Sequence, residues 1–305
     1  MHLKQYDTHA SGNTRTPRAS ARAAAAALHA WLDEYRRVFV LTGAGISTAS
    51  GIPDYRGPDG AWKRSAPITY QAFLHDPAMR ARYWARSFVG WPLVAQAEPN
   101  RAHAALVTLE AQGCVAGLVT QNVDGLHSRA GQRSVIDLHG RIDQVICMTC
   151  ATRVTRAEIQ HQLATDNSGW AGLRATAAPD GDADLNHLTF ADFTPLPCPL
   201  CAGLLKPDVV FFGENVPRDR VENAQSALAG ADAMLVVGSS LMVYSGFRFA
   251  RMAHERSLPL AILTRGVTRA DALATLKLDA DCETVLTNAI GESAALTPIS
   301  RPARY

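Results

Sequence analysis

Hydrophobic and polar positions along this chain follow two alternating rhythms. The segment "RAAAAALHAWLDEYRR" (22–37) sets Leu28, Trp31, Leu32 and Tyr35 at helical spacing, and its alanines favour a helix. The run "VFVLT" (38–42) is short and uniformly apolar, as a strand buried on both faces requires. The alternation then recurs. "AHAALVTLEAQG" (102–113) reads as a helix stopped by Gly113, and "VAGLVT" (115–120) and "SVIDLHG" (134–140) read as buried strands. "PRDRVENAQSALAG" (217–230) reads as a helix opened by Pro217 and closed by Gly230. The strand "AMLVVGSS" (233–240), a helix over about 244–256 and the strand "LPLAIL" (258–263) complete the series. Strands alternating with helices predict an α/β fold built on a Rossmann-like, doubly wound parallel sheet.

Two segments break the rhythm. Residues 57–100 carry Tyr70, Phe73, Tyr83, Trp84, Phe88 and Trp91 at helical spacing and predict a small helical insertion. Residues 141–204 hold two C-x-x-C pairs, Cys147 with Cys150 and Cys198 with Cys201. Residues 165–187, between the pairs, lack periodicity and predict a long surface loop. The expected organisation is a disordered leader (1–21), a sheet domain assembled from 22–56, 101–140 and 205–295, the insertion (57–100) and the cysteine module (141–204).

Composition narrows the chemistry. With 305 residues, 47% of them apolar, the chain can bury a sizeable core. A net charge of +2 gives no reason to expect a nucleic-acid or membrane partner. No apolar run reaches the ~18 residues of a membrane span. The leader is basic, with Asp7 as its one acid, and has no signal-peptide core. A cytoplasmic location is expected, with the mitochondrial matrix as the alternative if the leader is a transit peptide. The paired cysteines fit metal binding in a reducing compartment better than disulfides. Four thiolates on two tight turns can close a tetrahedral Zn²⁺ site with no open position, which is a structural site.

The candidate ligand site gathers at strand ends. After 38–42 come Gly43, Ala44 and Gly45, a turn that lets backbone N–H groups approach a pyrophosphate. Ser47 and Thr48 stand where a third glycine is expected, so the dinucleotide pattern is broken. "GIPDYR" sets Asp54, Tyr55 and Arg56 on a proline-stiffened loop beside that turn. "TQNVDG" offers Gln121, Asn122 and Asp124 at another strand end, where open α/β sheets bind ligands. They suit ribose hydroxyls or a carboxamide. His139 follows the next strand, and Gly238, Ser239 and Ser240 close a third strand with small residues suited to a phosphate or ribose.

In this order, "GAGIS…SGIPDYR", "TQNVDGLH", "DLHG", the two C-x-x-C pairs, "KPDVVFFGE" and "VVGSSLMVYSG" resemble the NAD-dependent protein deacylases called sirtuins over residues 35–290. "RYWARSFVGWP" and "LKPDVVFFGE" look most like the class II, sirtuin-4-like branch. The resemblance implies that NAD is consumed: nicotinamide leaves, the acyl oxygen of an acyl-lysine attacks C1′, and free lysine and O-acyl-ADP-ribose result. It implies that Ala44, Gly45 and Ile46 line the cofactor and that Asp54 and Arg56 order the loop and phosphates. Tyr55 stands where the family usually has Phe, the ring that shields C1′. Gln121, Asn122 and Asp124 would bind the nicotinamide end. His139 would be the general base, a task suited to an imidazole titrating near neutral. Val209, Val210, Phe211, Gly213 and Glu214 would supply backbone on which a substrate peptide adds as a strand. Tyr83 and Arg86, a Y-x-x-R pair on one helix face, would bind the carboxylate of a succinyl- or glutaryl-like group. Thr264 replaces a customary Asn at the adenosine ribose, and Cys282 falls near the adenine. Two further readings stay open: mono-ADP-ribosyl transfer to protein, and an NAD-sensing, zinc-stabilised binding module without turnover.

Overall fold

The computed structural model describes residues 20–61, 63, 67–173, 183, 185 and 188–290. In chain order the elements are α1 (Ala21–Glu34), β1 (Val38–Thr42), α2 (Tyr70–His75), α3 (Pro77–Gln96), α4 (Arg101–Ala111), β2 (Val115–Thr120), α5 (Leu126–Ala130), β3 (Val135–Asp137) and β4 (Gly140–Cys147). There follow β5 (Arg153–Thr155), α6 (Arg156–Asp166), β6 (Leu205–Val209), α7 (Arg218–Ala229), β7 (Ala233–Val237), α8 (Tyr244–Glu255), β8 (Leu260–Leu263), β9 (Leu276–Leu278) and α9 (Cys282–Ile290).

Six parallel strands form one sheet in the order β3-β2-β1-β7-β8-β9. This is the doubly wound order, and its direction reverses between β1 and β7, where such sheets bind ligands beyond the carboxyl ends of the strands. Every residue of β1, β7 and β8 is buried, which explains their uniformly apolar runs. Leu28, Leu106 and Leu286 from α1, α4 and α9 cover one face. Ala224 and Leu228 of α7, with Phe249 and Ala253 of α8, cover the other. A second, antiparallel sheet, β5-β4-β6, shares a separate core with the helical insertion α2–α3. Among the described residues no helix is long and apolar enough to cross a membrane.

Several expectations change. The strand expected over 134–140 stops at Asp137, and Gly140 already belongs to β4 of the second sheet. His139 therefore lies at the joint between the two sheets. In the loop expected over 165–187, Thr165 and Asp166 instead end α6, and Ser168–Trp170 forms a short 3-10 turn. Trp170 is buried there, stacked at 5.9 Å on Phe190. Residues 174–182, 184, 186 and 187 of that loop, and residues 1–19 of the expected leader, lie outside the described residues. Ser20 is not leader but the N-cap of α1, accepting from the Ala23 N–H at 3.2 Å.

Candidate active site at the carboxyl edge of the sheet

The ends of β1, β2, β7 and β8 open into one cavity of about 390 Å³. Its floor is made by two interlocked turns. Gly43 and Gly45 donate N–H groups to the carbonyls of Val237 (3.0 Å) and Gly238 (2.8 Å). A Cβ at Gly45 would stand 2.8 Å from Gly238 Cα, so the contact between the turns demands glycine. The backbone N–H groups of Ala44, Ser239 and Ser240 engage no other described residue, and these residues line the cavity. Such a set of unspent donors suits a pyrophosphate.

His139 is held from both sides. Its Nδ1 lies 2.9 Å from the Gln121 carbonyl, which can only accept, so Nδ1 carries the proton. Its Nε2 then accepts from the Ser245 hydroxyl at 2.7 Å. Burial lowers the His139 pKa to about 4; the Gln121 carbonyl pulls it up, and Arg220 and Arg248 push it further down. This corrects the expectation of an imidazole titrating near neutral. The Gln121 side chain accepts from Ser239 Oγ at 2.5 Å, so one residue ties His139 to the turn at 238–240.

Asn122 spends its amide nitrogen on the Gly43 carbonyl (3.2 Å) and on Ser47 Oγ (3.0 Å). Ser47, where a third glycine was expected, donates to Asp124 at 2.7 Å. Burial raises the Asp124 pKa, opposed by the Leu126 N–H, Ser47, Arg141 and Arg129. Asp54 pairs with Lys63, and Arg56 donates to the Gly60 carbonyl at 2.8 Å. These contacts tie the Tyr55 loop to itself.

The cavity wall thus includes Gly43, Ala44, Gly45, Asp54, Tyr55, Arg56, Gln121, Asn122, His139, Gly238, Ser239, Ser240 and Thr264. Tyr83, Val209, Val210, Phe211, Gly213 and Glu214 line it as well. Four expected residues do not reach it. Ile46 is 1% exposed and packs in the core beneath the turn. Asp124 sits behind Asn122 and Ser47 and serves to hold them. Cys282 opens α9, with its thiol 3.5 Å from the Leu263 carbonyl, in the core under the sheet. Arg86 donates Nε to the Ala183 carbonyl at 2.9 Å, away from the wall that Tyr83 reaches. On the peptide side two N–H groups are already used: Val210 donates to the His139 carbonyl (2.8 Å) and Phe211 to Glu214 (2.9 Å).

The four paired cysteines converge. Their sulfurs lie within 4.8 Å of one another, with Cys147–Cys201 at 3.5 Å and Cys150–Cys198 at 3.8 Å. A tetrahedral zinc with bonds of ~2.3 Å needs sulfurs about 3.8 Å apart. Ala151 and Ala202, one residue past each pair, adopt φ of 59° and 56°, the left-handed turn that wraps the backbone around the sulfurs. The Thr149 and Cys150 N–H groups point at Cys147 Sγ (3.4 and 3.5 Å). The donor set fits a closed structural zinc site.

Comparison with known proteins agrees with this geometry. Residues 43–245 match the model of the Sir2 family. The chain belongs to the Sir2 family. An "NAD-dependent protein deacetylase" of Xanthomonas axonopodis pv. citri is 57% identical over 259 residues, covering 85% of this chain and 88% of that protein. A protein of the same description from Bordetella bronchiseptica is 56% identical over 264 residues, covering 87% and 96%. A solved Sir2 variant with deacetylated p53 peptide and 3′-O-acetyl ADP ribose is similar at TM-score 0.70 and 33% identity, covering 86% of this chain and 95% of that one. A Sir2–p53 peptide–NAD⁺ complex gives TM-score 0.67 and 32% identity, covering 85% and 94%.

Within this Sir2-family cavity, reading the sequence alone overlooked Ser245 and Arg248. Both line the wall from the first turns of α8. Their three-residue spacing on a helix that starts just past a binding strand was the available signal.

Proposed function

We propose that this Sir2-family chain is an NAD-dependent protein lysine deacylase. The observation that carries it is His139, a half-buried imidazole whose basic Nε2 faces the cavity shared by the two glycine turns and the Val209–Glu214 wall. The relatives named as NAD-dependent protein deacetylases, and the peptide and NAD⁺ complexes of similar fold, support the same reading.

NAD, when bound, supplies a ribose carbon that accepts the acyl oxygen once nicotinamide departs. The unspent N–H groups of Ala44, Ser239 and Ser240 would hold its pyrophosphate, with Thr264 toward the adenosine end. Gln121 and Asn122 would hold the nicotinamide end, and the Tyr55 ring would shield the reacting carbon from water. His139 would take the proton of a ribose hydroxyl through the Ser245 hydroxyl, which already fills the single Nε2 lone pair, while Gln121 fixes the tautomer. The Val209–Glu214 wall receives the peptide. The cysteine cluster would hold zinc without entering the chemistry.

Ile68, Tyr83 and Phe211 form an apolar stretch of the wall, Tyr83 lying 5.1 Å from Phe211. With the Arg86 Nε engaged elsewhere, this favours neutral acyl chains over the acidic groups that the Y-x-x-R pair suggested. "RYWARSFVGWP" and "LKPDVVFFGE" support placement in the class II, sirtuin-4-like branch. The relatives named above are bacterial, which supports a cytoplasmic enzyme and gives the mitochondrial alternative no support.

The test is His139→Ala, assayed with acetyl-, succinyl- and glutaryl-lysine peptides. Deacylation should fall at least a hundredfold while NAD binding by calorimetry persists. Loss of NAD binding, or an unchanged deacylation rate, refutes the assignment. Wild-type preference for succinyl- or glutaryl-lysine refutes the neutral-acyl reading.

A further inference from the structure

The mouth of the cavity carries an aromatic ring surrounded by cations. Tyr244, in the first turn of α8, lines the cavity and is 45% exposed. The guanidinium carbons of Arg248, Arg251 and Arg269 lie 5.4, 5.6 and 5.9 Å from its ring centre. Arg269 also stacks on Phe247 at 4.3 Å. Cations over aromatic faces are attracted by the ring quadrupole, which holds these long side chains in place against their mutual repulsion.

Their acceptors are unevenly supplied. Arg251 pairs with Glu255 at 3.3 Å. Arg269 reaches the Met242 carbonyl at 3.4 Å. Arg248 has no carboxylate or carbonyl partner among the described residues, and its Nε is buried without a hydrogen bond. On the opposite side of the cavity Glu214 is engaged by Lys206 (3.1 Å) and by the Phe211 N–H (2.9 Å). Among the described residues no carboxylate therefore answers Arg248. A half-buried guanidinium with an unspent N–H is costly until a ligand supplies the acceptor.

We propose that Arg248, floored by Tyr244 and backed by Arg251 and Arg269, is a receptor for a carboxylate side chain of the substrate protein, so that acyl-lysines flanked by Asp or Glu are preferred. This deepens the deacylase reading and rests on it. The position selects the source of the carboxylate. Tyr244, nearly half exposed, marks the outer rim of the cavity, where residues flanking an acyl-lysine seated on the Val209–Glu214 wall would pass. The acyl chain itself faces Ile68, Tyr83 and Phe211. The phosphate donors lie on the turns at 43–45 and 238–240. A guanidinium fork matches a carboxylate in two parallel hydrogen bonds.

The experiment compares paired acetyl-lysine peptides with Glu or Gln on either side of the modified lysine, using wild type, Arg248→Gln and Arg248→Lys. Within each enzyme the readout is the ratio of kcat/KM for the acidic over the neutral peptide. Wild type should give a ratio of about five to ten, which is roughly 1 to 1.4 kcal/mol. It should fall toward one in Arg248→Gln whatever happens to absolute rates, partly survive in Arg248→Lys, and shrink in 0.5 M salt. Equal ratios in wild type overturn the proposal while leaving the deacylase reading intact, because both peptides are then turned over. A preference that survives Arg248→Gln overturns it too. So does a succinyl- over acetyl-lysine preference lost in that variant, which assigns the arginine to the acyl group. Failure to turn over any acyl-lysine peptide overturns the proposal together with the reading beneath it.

Discussion

Replacing Ser245 by Ala tests how His139, the proposed base, is held. In the intact site the neutral imidazole makes two bonds, Nδ1–H to Gln121 at 2.9 Å and Nε2 from Ser245 at 2.7 Å. Burial, with Arg220 and Arg248 nearby, moves its pKa from 6.5 to about 4. That shift corresponds to about 3 kcal/mol against the charged form. The base is thus unprotonated across neutral and mildly acidic pH, and the acid limb of kcat/KM in the free enzyme should lie well below 6.5. The serine hydroxyl donates to the neutral form at a net value of about 1 kcal/mol. Its loss should raise the limb by less than about one pH unit and lower kcat, because the ring is then anchored at one nitrogen only. The assay is nicotinamide release from pH 4.5 to 8 at constant ionic strength, with circular dichroism confirming that the fold persists at each pH. Ser245→Thr, which keeps the hydroxyl, should restore the wild-type limb. A wild-type limb at or above 6.5 refutes the burial argument. Ser245→Ala with unchanged kcat and limb refutes the role given to the hydroxyl.

Two further outcomes follow from the same physics. Chelation of the metal at the cysteine cluster should lower Tm and slow turnover together, because Cys147 and Cys198 share a core with Tyr83, Val209 and Phe211; full activity in protein shown to be zinc-free by atomic emission contradicts this. His103 is wholly buried, with Nε2 unpartnered and its ring 4.8 Å from His127, and burial lowers its pKa from 6.5 to about 4. The unfolded chain therefore binds the extra proton, so this stability is present above pH 6.5 and lost as pH falls toward 4. At pH 5 the loss from His103 is about 2 kcal/mol, and urea unfolding of wild type against His103→Leu, zinc present, should differ in pH dependence by that amount. Asp137, raised to about 6 by burial, acts with the opposite sign but is common to both proteins and cancels. Parallel pH profiles would show that the imidazole is not the titrating group.

What the sequence revealed depended on how uniformly each segment was buried. β1 and β2 match their apolar runs residue for residue because both sit inside the sheet. β4 was hidden because "GRIDQVIC" mixes charges with apolar residues, as a strand of a half-exposed antiparallel sheet does. β9 spans three residues, too few for a period to appear. α6 did announce itself: Thr155 and Glu158 form a capping box, a start signal that the polar stretch beyond it obscured. At the site, the motifs located the turns but not the direction of each side chain. Ile46 follows residues that line the cavity, yet a 3-10 turn rotates it into the core, while Cys282 opens a helix none of whose residues reach the cavity. Tyr83 and Arg86 share a helix face in principle, and only Tyr83 meets the cavity. Rotation of that kind is decided by packing, which local spacing does not encode.

On the proposed reading, in which the coenzyme is split, the departure from the dinucleotide glycine pattern has a structural reason. A third glycine would serve close helix–strand packing. Here the position belongs to Ser47, whose hydroxyl links Asn122 to the half-buried Asp124 carboxylate. That exchange joins the turn after β1 to the turn after β2. Gln121 extends the link to Ser239 and, through its carbonyl, to His139. α8 closes the circuit: Ser245 meets His139, and next to it Gly246 lies so near Gln121 that a Cβ would stand 2.2 Å from the amide nitrogen. The turns after β1 and β7, the amide pair and His139 are thus one hydrogen-bonded body spanning four strand ends and a helix start. Rigid coupling of this kind lets cofactor binding and proton removal share one geometry, which a turn adapted only to hold a pyrophosphate has no need to provide.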